Sequence, residues 1–142
     1  MSVNLKGLQD NSGFSYVAKP VKTAVVIAPD TIVANETASG MLVEFAAADA
    51  ANYNKVYVSI NGLDNTSGAN GFLTELGNGE RYVRCYTTGT VAVVNFDAIT
   101  AADVEKEFYA ADANTFSLVA LGPKAGRIRK FFSAKRAEVE LY

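Results

Sequence analysis

Residues 81–96, Arg-Tyr-Val-Arg-Cys-Tyr-Thr-Thr-Gly-Thr-Val-Ala-Val-Val-Asn-Phe, decide the fold class. Two runs of β-branched and aromatic residues flank Thr87-Thr88-Gly89, and side chains in each run alternate between apolar and polar. Period-two alternation bounded by a turn is the signal of paired strands, so this stretch is expected to form a β-hairpin.

The same rhythm continues on both sides. Met41, Val43 and Phe45 oppose Leu42 and Glu44, and Val56, Val58 and Ile60 oppose Tyr57 and Ser59. Residues 61–71 (NGLDNTSGANG) and Gly77-Asn78-Gly79 are rich in residues that tolerate left-handed backbone, and read as loops around a run at 72–76. Toward the C-terminus, residues 115–121 return to strand. In 126–132, Ile128, Lys130 and Phe132 alternate with Arg127, Arg129 and Phe131; Ala137, Val139 and Leu141 then alternate with charged neighbours. One segment breaks the pattern. Thr100 with Asp103 three residues on, acids in the first turns, and Val104 four before Phe108 predict a short helix over 101–110.

Residues 1–20 carry scattered apolar side chains between Gly7, Asn11, Ser12 and Gly13 and have no stable period, which predicts an extended N-terminal arm. The expectation is therefore one mainly β domain over 21–142, an antiparallel β-sandwich or jelly-roll-like fold of seven or eight strands with one short helix, preceded by the arm. With 142 residues, 49% hydrophobic and 20% charged, the chain can build a single core. Its apolar runs are too short to span a membrane, and its first residues do not form a secretory leader, so the reading is a protein assembled in a cytoplasm.

Chemistry is constrained by what the chain lacks. There is no histidine, so the commonest general base and transition-metal ligand are missing. Cys85 is alone, which precludes an internal disulfide and suits a buried thiol. Ser133 with Lys130 or Lys135 has no oxyanion donors in view, and Glu138 with Glu140 reads as a charged strand face. Asp64 and Asn65, or Asp49, Asn52 and Asn54, are oxygen donors that turn chemistry explains without calcium. The glycines at 77–79 and 122–126 lack a phosphate-loop pattern. The expectation is a non-enzyme without cofactor or metal.

Charge is segregated, however. Residues 124–136 hold six of the thirteen bases and no acid, whereas residues 97–112 hold five acids and only Lys106. Lys124, Arg127, Arg129, Lys130, Phe131, Lys135 and Arg136 are thus candidate interface residues, steering a subunit or larger partner. The alternative is that the two segments neutralise each other within one chain. Nucleic acid is disfavoured by a net charge of −2.

The Gly/Asn/Ser-punctuated opening MSVNLKGLQDNSGFSYVAKP, the Ala/Val/Thr/Asn/Gly-rich β body and the closing strand AEVELY together resemble a tailed-bacteriophage virion structural protein, most of all a capsid decoration (cement) protein. The resemblance is one of build across the chain. It implies a virion location, self-association into homo-oligomers, and binding to a preformed capsid protein lattice through the arm and strand edges. Two other functions fit the same residues: a tail-tube-like ring subunit, and a small carbohydrate-binding module stacking sugars on Tyr53, Tyr57, Tyr82 and Tyr86.

Overall fold

Strand alternation becomes burial. In the computed structural model, which describes residues 4–6, 16–66 and 82–142, about half of the described residues are in strands and helix is limited to two 3-10 segments. The strands are β1 (Asn4–Lys6), β2 (Tyr16–Pro20), β3 (Val26–Ile27), β4 (Ile32–Glu36), β5 (Leu42–Glu44) and β6 (Tyr53–Val58). They continue with β7 (Leu63–Asp64), β8 (Tyr82–Tyr86), β9 (Val91–Asn95), β10 (Glu107–Ala110), β11 (Phe116–Ser117), β12 (Gly126–Ser133) and β13 (Arg136–Leu141). The expected strand at 72–76 and the turn at 77–79 lie outside the described residues, as do residues 1–3 and 7–15.

The largest sheet has six strands in the order β1-β9-β13-β12-β10-β11, with antiparallel pairing throughout. It curls into a half-barrel. Its far strand returns to the end of β9, where Phe96 and Phe116 bridge and the Asp97 N–H donates to the Phe116 carbonyl at 3.0 Å. Inside the curl, Phe96, Phe108 and Phe116 meet edge-on or tilted, at 4.9 to 6.1 Å between ring centres. This arrangement of ring quadrupoles adds to the gain from burial.

A three-stranded sheet, β5-β4-β6, covers the open side with Ile32, Ala34, Val56 and Val58. Its other face supplies Val33 and Leu42 to a second core with Val21, Ile27, Val83 and Cys85. β4 is therefore buried on both faces, which is why its first four residues read Ile-Val-Ala-Asn without a clean polar alternation. Short bridges, Val21 to Leu42 and Ser59 to Cys85, tie β2 and β8 to this middle sheet.

Two local expectations are corrected. Residues 81–96 do not form a hairpin: β8 pairs with β2, whereas β9 pairs with β13 and β1. Val83 and Cys85 belong to the smaller core and Ala92 and Val94 to the larger one, so the turn at 87–90 carries the chain from one sheet to another. Gly89, at φ 89°, accordingly donates its N–H to Leu141, on β13, at 2.7 Å. The helix expected over 101–110 is a single 3-10 segment, Ala101–Asp103. The Thr100–Asp103 capping box forms, but Glu105 turns to φ 75° and β10 begins at Glu107. Phe108 and Ala110 then alternate inward as strand residues. Within 1–20, residues 4–6 pair with β9 and residues 16–20 with β8.

Candidate functional site

The only long hairpin of the described residues is β12–β13, and it carries most of the basic segment. Its register starts regularly, Gly126 opposite Leu141, Arg127 opposite Glu140 and Ile128 opposite Val139, and then breaks twice. Lys130 faces Glu138, so Arg129 is an extra residue; Phe131 faces Ala137 and Ser133 faces Arg136, so Phe132 is another. Each bulge moves the following side chains to the opposite face. Counting by two from Ile128 puts Lys130 inward, but the first bulge turns it out and sends Phe131 to the core, where it is half-buried. Phe132 is pushed outward and is 45% exposed.

At the base of the hairpin the segregated charges meet. β12 lies between β10 and β13, which places Arg127 across from Glu107 on one side and Glu140 on the other. Lys124 pairs with Glu107 Oε1 at 2.9 Å, and Arg129 with Glu140 Oε1 at 3.1 Å. The Tyr142 hydroxyl donates to Glu107 Oε2 at 2.7 Å. That hydrogen bond, followed by the Lys124 ammonium, holds the Glu107 carboxyl below its usual range, and the same contacts push Lys124 and Tyr142 up. Cross-strand opposite charges of this kind stabilise the sheet modestly and leave little charge for a partner.

The tip differs. Among the described residues no ion pair takes Lys130, Lys135 or Arg136. Lys130 Nζ instead lies 5.8 Å from the centre of the Phe132 ring, and the Lys135 ammonium donates to the Asp97 backbone carbonyl. The Phe132 ring thus stands exposed with one cation, Lys130, beside it. Of the seven expected interface residues, Lys130, Lys135 and Arg136 are at this tip. Lys124, Arg127 and Arg129 are in the base ladder, and Phe131 packs inward. Phe132, on the basic strand 126–132 but not among those seven, is the exposed ring at the tip, and the sequence signal for its outward turn is the adjacent pair Arg129-Lys130, two charges interrupting an alternating run.

The other candidates resolve into structure. Ser133 accepts the Lys135 backbone N–H at 3.3 Å in an exposed turn. Glu138 and Glu140 share the outer face with Lys130 and Arg127 opposite them. Asp64 accepts both the backbone and side chain of Thr66, and Asn54 accepts from Asn35 at 2.9 Å. Among the described residues no three His, Cys, Asp or Glu side chains converge as a metal group. Cys85 is fully buried, and desolvation pushes its thiol up to about 12. Of the tyrosines expected to stack sugars, Tyr53 is buried, with its hydroxyl accepting the Ala46 N–H at 3.2 Å. Tyr57 lies under Lys19 and Lys55. Tyr82 and Tyr86 share one face of β8 with Arg84, which stacks on the half-exposed Tyr16, while Tyr86 packs against the larger core.

A cavity of about 10 Å3, the room of roughly one water, lies among Val56, Tyr86, Phe116 and Tyr142. An open groove beside Thr37, Ala38, Ala51 and Asn52 has one lining carboxylate, Glu36, already paired with Lys22 at 2.8 Å. No helix among the described residues is long and apolar enough to cross a membrane. Compared with protein-family models, curated proteins and solved structures, the chain matches none.

Proposed function

We propose that this chain is a non-catalytic assembly protein that self-associates and docks on a larger protein lattice, in the manner of a capsid decoration protein of a virion. The observation that carries the reading is the β12–β13 tip. A protein gains no stability from holding Phe132 in water beside Lys130, and a bulge that re-aims one aromatic outward makes sense as a contact device. The base of the same hairpin supplies the rigidity that such a contact needs, because Lys124 and Arg129 are paired with carboxylates and Ile128 fills the core. The test is solution mass by light scattering behind a sizing column. A discrete oligomer, or a mass that rises with concentration, is expected; a monomer at every concentration removes self-association. Rings in negative-stain images would move the assignment from decoration to a tail-tube-like subunit.

A second reading has its own observation. Tyr16 and Tyr82 lie on one face of the β2–β8 ribbon with the exposed Arg84 between them, a platform suited to the faces of sugar rings. Binding on a glycan array that is lost in Tyr16→Ala would favour a carbohydrate-binding module over assembly.

A further inference from the structure

A second exposed apolar feature lies toward the other end of the hairpin. The connection from β11 to β12 runs Leu118-Val119-Ala120-Leu121-Gly122-Pro123, and Val119 is 68% exposed. It abuts the 3-10 segment Ala47–Asn52: a Cβ built on Gly122 would come within 3.1 Å of the Ala50 carbonyl. Ala47, Ala48 and Ala51 of that segment are also exposed, so the loop and the segment it abuts both present small or branched apolar side chains. Its charge is of one sign. Residues 113–123 carry no charged group, and residues 44–52 carry Glu44 and Asp49 with no base, both acids being exposed.

The tip and the patch are complementary: an aromatic knob beside Lys130, which is in no ion pair among the described residues, on one, and apolar side chains with the exposed Asp49 on the other. They are also placed apart. The loop leads into Gly126 at the base of β12, and the tip follows Ser133 at its far end, about 25 Å away at the rise of an extended strand. One chain therefore does not close the contact on itself. Resting on the self-association reading above, we propose that the Phe132 tip of one copy docks on the Val119–Ala51 patch of the next, with Lys130 meeting Asp49. The two surfaces differ, so the contact is head-to-tail and generates a ring or an open string rather than a two-fold dimer.

Single substitutions break one surface at a time. Phe132→Ser removes the knob and Val119→Asp the patch, and each is expected to weaken association by roughly tenfold or more. Each variant alone should be monomeric, whereas an equimolar mixture should form a heterodimer and nothing larger, because one intact tip and one intact patch remain between the two. Lys130→Glu and Asp49→Lys should each weaken association and together restore it, which keeps the test open if either apolar variant fails to fold by circular dichroism. An oligomer whose mass is indifferent to all four substitutions overturns this contact while leaving self-association in place. Monomeric variants that give no heterodimer on mixing overturn the head-to-tail pairing. A wild-type monomer at every concentration overturns both this contact and the reading beneath it.

Discussion

The two ends of the β12–β13 hairpin use similar residues for opposite ends. At the base, Arg127 and Arg129 stand opposite or beside Glu107 and Glu140, and Ile128 fills the core. At the tip, Lys130 lies over a solvent-exposed ring, and among the described residues neither it nor Arg136 is in an ion pair. The difference is one of register rather than composition. Arg127 and Lys130 each face a glutamate across the hairpin, and the two extra residues decide which of Phe131 and Phe132 is turned out. A charge run in a sequence therefore says little about interaction until its cross-strand partners are known.

That contrast predicts a gradient of cost along the hairpin. The steepest effect belongs to Gly126→Ala. A methyl there collides with the Glu140 carbonyl oxygen and lies 2.8 Å from Phe108 Cζ, and both neighbours are held by the sheet and the aromatic cluster. A loss of about 4 kcal/mol in chemical denaturation is expected, above the usual range for overpacking because one of the clashing atoms is backbone. Ile128→Ala, which empties a fully buried position, should cost about 3 kcal/mol with the slope of the denaturation curve unchanged.

Glu107→Gln tests the ladder by pH rather than by depth. Because its folded pKa lies below the ordinary 4.5, the carboxylate stabilises the fold fully above that value, and the contribution is lost as pH falls through the folded pKa. The melting temperature of the wild type should thus fall more steeply than that of the variant as the pH drops below 4.5. The smallest effect is expected at the tip. Phe132→Ser should leave monomer stability within about 0.5 kcal/mol, as for an ordinary surface exchange. A large loss of stability there would erase the distinction between base and tip.

The β class and most strand positions were legible because alternation reports burial directly: Val56 and Val58, or Ala137 and Val139, are where a period of two puts them. Partners were not legible. Alternation in residues 81–96 is equally compatible with a hairpin and with two strands in different sheets, and only the division of Val83 and Cys85 from Ala92 and Val94 between two cores decides it. Val104 and Phe108 are four apart, a spacing shared by a helix face and a strand face, so the capping box at Thr100 suggested a longer helix than forms. Bulges are invisible to any fixed period, which is how Phe131 and Phe132 exchanged roles at the candidate site.

The closed-off position of Cys85 gives the molecule an internal stopwatch. The chain has one sulfhydryl, it is fully buried on β8, and its proton is held up to about 12, so a thiol reagent at neutral pH meets no reactive group while the smaller core is shut. The rate at which label appears therefore counts every opening, local or global, that exposes the smaller core, and a rate above that of global unfolding marks local opening there.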